Sequence, residues 1–377
     1  MLDFTSALYL GMQHPSWSLR PWSRLTTGAP GALVAPPGAE AVAAGLAELM
    51  GCQGAVLAPS TLHVALDLFA QLARERIIIF MDAEVYPITR WGIERAACRG
   101  VPVRTLPHHG ARSLRRQLRE AAGGTRTRAR RPVVVTSGFC PGCGRFAPLQ
   151  DYLAGARAYG GSLVLDDTQA LGIFGHGPCP GAPYGRGGGG SLRWYDVADT
   201  DVLSFGSLAK GFGVPVAVLA GSQDAVWRFE RESQTRVHCS PPSVAVVQAA
   251  CHALALNRRC GETLRGRLVE RVKQFRARLA EAGLGASGGL FPVQTLKPMP
   301  GIDPHALHGR LERLGIQTVL HSKPDGNGAR LGFILTARHS PKEIDAAVAV
   351  VVDALGHQRS LRKACKMEVH SERSVCV

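Results

Sequence analysis

The chain has 377 residues, more than one hydrophobic core usually organises, so one large and one small domain are expected. Hydrophobic residues make up 45% and charged residues 19%, which excludes a disordered chain, and no apolar run reaches the roughly 18 residues of a bilayer crossing. The net charge is +15; Met1-Leu2-Asp3-Phe4 lacks the basic-then-apolar start of a secretory signal, so the cytoplasm is the expected compartment and no membrane partner is expected.

Residues 1–38, rich in Pro, Gly and Trp, read as an extended arm. A helix is predicted over Ala39–Met50 with Gly51 as its stop, and another over Thr61–Arg74. Strands and helices then alternate: a strand at Ile77–Phe80, a helix at Ile88–Cys98, strands at Val101–Val103 and Val133–Val135, a helix at Leu149–Ala158, and strands at Ser162–Leu165, Asp201–Phe205 and Val214–Ala220. Continuous apolar strands between helices predict an α/β fold with a mainly parallel sheet covered on both faces. Gly181–Gly190 reads as a flexible surface loop without the Lys-Ser/Thr spacing of a P-loop. An apolar helix is predicted from Pro242 to Asn257 and a separate basic amphipathic one over Glu262–Ala282. Strands near Phe291–Leu296, Gln317–Leu320 and Leu331–Leu335 and a helix at Pro341–Leu355 follow. The expected division is an arm at 1–38, a large domain at 39–257, a small α+β domain at 258–358 and a polar tail at 359–377.

Two local features lie outside this pattern. Between Arg104 and Arg131 stand Arg112, Arg115, Arg116, Arg119, Arg126, Arg128 and Arg130, opposed within the segment only by Glu120. Such a segment attracts phosphates on nucleic acid, coenzyme A or a carrier-protein arm. No aromatic residues interleave to stack bases, so a solvated helix and loop is expected and nucleic acid is not. The ten cysteines read mainly as small buried hydrophobes. Cys140-Pro141-Gly142-Cys143 has the spacing of a redox or zinc pair, but a zinc site needs further ligands and the sequence points to none, so no metal is expected.

Chemistry concentrates in two segments. In Leu163-Val164-Leu165-Asp166-Asp167-Thr168-Gln169-Ala170-Leu171-Gly172 an apolar strand ends in a carboxylate, at the end of the strand that faces the ligand crevice in open α/β sheets. In Ser204-Phe205-Gly206-Ser207-Leu208-Ala209-Lys210-Gly211-Phe212-Gly213 a strand ends in hydroxyl residues and a lysine among glycines. Pyridoxal 5'-phosphate needs a lysine amine for its aldehyde, an anion to keep its ring nitrogen protonated, donors for its phosphate and a flat group against its ring. Lys210 and Asp166 supply the first two; Ser207, and Ser60 and Thr61 at a helix start, are phosphate donors; Tyr86 can stack. Ser60 and Thr61 serve equally well as helix caps, and Tyr86 as an ordinary half-buried tyrosine. His176 reads as a loop histidine and His339 as a structural one.

These segments, with Ala7-Leu8-Tyr9-Leu10-Gly11, Ala147-Pro148-Leu149 and Leu335-Thr336-Ala337-Arg338-His339, resemble the α-oxoamine synthase family. The resemblance implies a fold-type I, aminotransferase-like enzyme using pyridoxal phosphate to condense an amino acid with an acyl thioester of coenzyme A or acyl carrier protein. It also implies a homodimer whose partner chain reaches the phosphate, for which Ser240 in Val237-His238-Cys239-Ser240-Pro241-Pro242 is the candidate. The family's stacking histidine falls at Tyr86, its phenolate-contacting histidine at Gln169, and its carboxylate-binding arginine at Gly332, with Arg330 two places away as the candidate replacement. Those departures leave transamination or decarboxylation of an atypical amine, or a non-catalytic partner subunit, as alternatives. Retention of Lys210 and Asp166 argues against the last.

Overall fold

A computed structural model of the chain describes residues 1–122, 130–322 and 328–356. It forms two compact units: a larger one of Leu10–Cys140 and Arg145–Arg265, and a smaller one of Met1–Tyr9, Pro141–Gly144 and the chain from Gly266 onward.

In the larger unit α1 (Ala39–Met50) precedes β2 (Gly54–Ala58), α2 (Thr61–Leu72), β3 (Ile77–Asp82), α3 (Pro87–Ala97), β4 (Val103–Leu106), α4 (Ala111–Ala122) and β5 (Arg131–Ser137). A hairpin of β6 (Phe139–Cys140) and β7 (Arg145–Phe146) leads to α5 (Leu149–Arg157), β8 (Ser162–Asp166), α6 (Ser191–Trp194), β9 (Val202–Ser207), β10 (Ala217–Gly221), α7 (Gln223–Glu232) and α8 (Gln234–His238). Among the described residues the strands make a seven-stranded sheet in the order β2-β10-β9-β8-β5-β3-β4, parallel except for β10, which runs antiparallel to both neighbours. The expected mainly parallel sheet is present.

The sequence Ile77-Ile78-Ile79-Phe80 shows why both faces are covered. Ile77 and Ile79 enter one core cluster with Leu68, Phe69 and Phe205, while Ile78 and Phe80 enter the other with Leu114, Tyr152 and Leu163. Each such fully buried side chain contributes about 1.5–3 kcal/mol. Helix α1 stops where expected, because Gly51 takes a left-handed φ of 78° and donates back to the last turn.

The structure corrects three expectations. Residues 242–282 hold one helix, α9 (Val244–Glu281), where two were expected. Gly261 lies in the gap expected between Asn257 and Glu262; the buried side chains of Asn257 and Arg265 fill the space its missing Cβ leaves, and their 2.9 Å hydrogen bond spans that turn of the helix. Gly181–Gly190 is packed over much of its length: Tyr184 is 1% exposed, Gly190 donates to the Phe174 carbonyl at 2.7 Å, and Gly187 donates to Glu262 at 2.8 Å. The last strand of the Val214–Ala220 prediction begins only at Ala217. Elements β2, α7 and α10 (Pro304–Arg313) have no counterpart in the sequence expectation.

Within the basic segment Ala111–Ala122 form α4, with Leu114 and Leu118 buried. Its arginines meet acids from other elements as well as Glu120: Arg115 lies 3.1 Å from Asp151 and Arg131 2.5 Å from Glu75. Arg126 and Arg128 lie outside the described residues, as does the tail expected after Gln358.

The smaller unit carries the antiparallel sheet β11-β12-β15-β14, with β11 (Ala286–Ser287), β12 (Val293–Leu296), β14 (Val319–Ser322) and β15 (Ala329–Ile334). It also holds α10, helix α11 (341–356) and a parallel pair of β1 (Leu2–Asp3) with β13 (Ile316–Gln317). His339 is structural: Nδ1 accepts from the Thr336 N–H at 2.9 Å, Nε2 lies 2.9 Å from the Asp3 carbonyl, and the ring stacks on Phe4. No described helix is long and apolar enough to cross a membrane.

Candidate active site

Asp166 ends β8, buried at 4% exposure, where the strand's carboxyl end opens onto the sheet edge. Its Oδ2 accepts from the Thr89 hydroxyl at 2.9 Å and its Oδ1 from the Thr168 N–H at 3.1 Å. Burial pushes its carboxyl above the usual range, while the Thr168 and Thr89 donors and the Lys210 charge pull it back.

Lys210 lies in the turn between β9 and β10. That turn is closed by Leu208 N–H to Val216 O at 2.8 Å and Phe212 N–H to Leu208 O at 3.1 Å. The N-terminal arm adds a bond at 2.8 Å from His14 Nε2 to the Phe212 carbonyl. Desolvation lowers the Lys210 pKa and Asp166 opposes the shift. The two groups therefore sense each other's charge, yet no ion pair joins them among the described residues.

Tyr86, 47% exposed, precedes Pro87 at the start of α3, and Lys210 Nζ stands 5.7 Å from its ring centroid. The structure thus brings Asp166, Lys210 and Tyr86 into one neighbourhood. Ser207 is tied in as well: its N–H donates to Thr168 Oγ1 at 3.1 Å and its Oγ accepts from Ala209 N–H at 3.2 Å. Ser60 is the N-cap residue of α2, but its hydroxyl pairs with His63 Nδ1 at 2.8 Å and makes no capping bond to the helix backbone. The N–H groups of the first turn, Thr61 included, thus lack a side-chain cap, as an anion cradle requires. Gln169 follows Thr168 and is half-buried. Ser240 is exposed, in a segment whose start is held by Asp67, which accepts from Ser233 Oγ, Thr235 N–H (3.0 Å) and Thr235 Oγ1 (2.6 Å).

Arg330 lies in the smaller unit on β15, opposite His321 of β14. The His321 imidazole occupies the space beside Gly332 that a side chain there would need. His176 is exposed and joins Arg186 through backbone bonds.

Thr89, Thr168 and Asp67 had no role in the sequence reading. Thr168 could have been found from its place in the Asp166 turn; Thr89 and Asp67 are inconspicuous polar residues on amphipathic helices and carry no local signal.

The family Aminotransferase class I and II matches residues 9–349. A relative from Pseudomonas aeruginosa, 8-amino-7-oxononanoate synthase, is 28% identical over 70% of this chain, and the match spans 62% of the relative's own length. The 8-amino-7-oxononanoate synthase of Alkalilimnicola ehrlichii is 28% identical over 85% of this chain and 78% of its own. The fold is similar to that of Sphingomonas wittichii serine palmitoyltransferase, with a TM-score of 0.76 at 18% identity over 95% of this chain and 88% of that one.

Proposed function

The chain belongs to the aminotransferase class I and II family, and from that premise we propose a pyridoxal phosphate-dependent enzyme of the α-oxoamine synthase type, condensing an amino acid with an acyl thioester. The observation that carries this reading is the buried Asp166 and the half-buried Lys210, each sensing the other's charge, with Lys210 beside Tyr86. Asp166, held by Thr89 and Thr168, would keep the cofactor's ring nitrogen protonated; Lys210 would hold its aldehyde carbon; Tyr86 would cover its ring; Ser60, Thr61 and Ser207 would face its phosphate. When bound, the cofactor supplies an electron sink for charge developing at the substrate's α-carbon. Lys210, whose pKa desolvation lowers against the opposing charge of Asp166, would be the group that takes and returns a proton at that carbon.

The acyl donor is coenzyme A- or carrier-bound, and the arginines of α4 supply a basic surface for its phosphates. A homodimer in the cytoplasm, with Ser240 offered to the partner chain's site, completes the reading. A second reading, transamination or decarboxylation of an atypical amine, draws on one observation: Gly332 presents no side chain and His321 fills its place, which leaves Arg330 to hold any substrate carboxylate.

The test is direct. The purified protein should show the visible absorbance of lysine-bound pyridoxal phosphate, and Lys210→Ala should abolish it; a protein that stays colourless with added cofactor refutes the proposal. Incubation with an amino acid and an acyl thioester should release free thiol. An amine or keto product without thiol release would favour the second reading.

A further inference from the structure

We propose that the chain binds a zinc-class divalent ion on His108, Cys140 and Cys143, with Asp82 as the carboxylate that orients His108. This inference is independent of the Lys210 reading. The spacing Cys140-Pro141-Gly142-Cys143 lets two thiolates meet one ion, and the sequence alone offered no further ligand. The fold of the larger unit supplies one. His108 follows β4, Cys140 closes β6 just after β5, and β4 and β5 flank β3, whose last residue is Asp82. Neighbouring strands therefore deliver these groups to one edge of the sheet. A ring nitrogen of His108 and Sγ of Cys140 lie within 4.8 Å of each other, close enough for one ion to bridge them after small adjustments. Cys143 follows in the turn that joins β6 to β7, at the two-residue interval that places a second thiolate on the ion of the first.

The arrangement around His108 is that of a ligand held from behind. Asp82 is 1% exposed, and its Oδ1 accepts from His108 Nδ1 at 2.9 Å and from the Glu84 N–H at 2.9 Å. Its Oδ2 accepts from the His109 N–H at 2.8 Å and the Tyr152 hydroxyl at 3.3 Å. A carboxylate so committed orients rather than ligates. With Nδ1–H given to Asp82, Nε2 is the nitrogen that His108 presents to a metal, the carboxylate–histidine–metal relation that fixes tautomer and ring plane. His109 adds to this. It adopts a left-handed φ of 55°, unusual for a residue with a side chain, and its ring lies on that of His108 with centroids 3.7 Å apart. Two thiolates and an imidazole select zinc over magnesium or calcium and leave a fourth position to water. Bound there, the ion ties the β6–β7 hairpin to the ends of β3 and β4, along the sheet edge at which β8 presents Asp166.

The experiment is metal analysis of the full-length protein purified without chelator, followed by zinc titration of the reduced, EDTA-treated chain against a chromogenic chelator. About one zinc per chain is expected, with release of protons from the two thiols on binding. Cobalt substitution of the wild-type protein should give the absorbance of thiolate-ligated tetrahedral cobalt. Cys140→Ser and His108→Ala should lose the ion, and Asp82→Asn should weaken binding by about ten- to a hundredfold. The proposal is overturned if the reduced wild-type chain takes up no zinc at micromolar concentration. It is equally overturned if Cys140→Ser and His108→Ala bind as the wild type does, or if thiol counting on fresh protein shows Cys140 and Cys143 joined as a disulfide.

Discussion

Thr89 gives its hydroxyl hydrogen to Oδ2 of Asp166 across 2.9 Å, from a fully buried position on α3, 77 residues earlier in the chain. With the Thr168 N–H on the other oxygen, this bond opposes the rise that burial imposes on the Asp166 pKa. Thr89→Val keeps the shape and removes the donor. A hydrogen bond to a charged group contributes about 1.5–3 kcal/mol, so cofactor affinity should fall by about ten- to a hundredfold. Asp166 should titrate at higher pH than in the wild type, moving the acid limb of the visible-absorbance profile upward. An unchanged profile and affinity would show that Thr168 alone holds the carboxylate.

Three glycines of one run should answer differently to alanine. Gly190 has φ of 85°, and a Cβ there would land on the Asp167 carboxylate. Gly187 has the same φ with its nearest neighbour 3.9 Å away, and Gly181 has open space and an ordinary φ. Gly190→Ala should cost about 3 kcal/mol or more, combining strain with a clash against buried polar atoms. Gly187→Ala should cost about 1–2 kcal/mol from backbone strain alone. Gly181→Ala should be neutral or stabilise by up to about 1 kcal/mol through the unfolded state. Urea unfolding of the three variants tests the order, and equal small effects would restore the flexible loop that composition suggested.

That run marks the limit of what the sequence discloses. Strands such as Ile77–Phe80 and Ser162–Leu165 are legible because residues buried on both sheet faces must be apolar throughout, and Asp166 and Lys210 because a carboxylate or lysine at such a strand's end has few structural uses. Gly188–Gly190 look like linker until Asp167, Arg265 and Leu49 are seen to occupy the space around them. Likewise Gly261 signals a helix end by propensity, and only the Asn257–Arg265 pair, eight residues apart, shows why the helix continues. His108 and the Cys140 pair were invisible as one group because they lie more than thirty residues apart and are joined only through β3 and its neighbours.

Asp167 makes a pH-dependent contribution to stability whose sign is fixed by burial. Its carboxyl is pushed up to about 6 by desolvation and by the charge of Asp166, against the bonds it accepts from Ser191. The native state therefore holds its proton more tightly than the unfolded chain does. The contribution is full below the unfolded value near 3.8, is lost as pH rises to about 6, and is level above that. The shift corresponds to about 3 kcal/mol. Asp167→Asn keeps a partner for the Ser191 hydroxyl and removes the titration. The difference in unfolding free energy between variant and wild type should grow in the variant's favour from pH 4 to 6 and then stay constant. A difference independent of pH would place the titration elsewhere.

Asp67 links the fold of α2 to the proposed dimer contact. Its buried carboxylate accepts from Ser233 and twice from Thr235, and so sets the path of the segment that ends in the exposed Ser240. If Ser240 reaches a partner chain's phosphate site, two substitutions should separate. Asp67→Asn weakens charge-assisted bonds, and at about 1.5–3 kcal/mol for each it should lower unfolding stability and shift the dimer toward monomer. Ser240→Ala removes one surface hydroxyl, so stability should stay within about 0.5 kcal/mol of the wild type while cofactor affinity falls. Sedimentation at micromolar concentration reads the first effect and absorbance titration with pyridoxal phosphate the second. A monomer that binds the cofactor as tightly as the wild type would show that the site closes within one chain, and Asp67 would then be a structural anchor with no bearing on assembly.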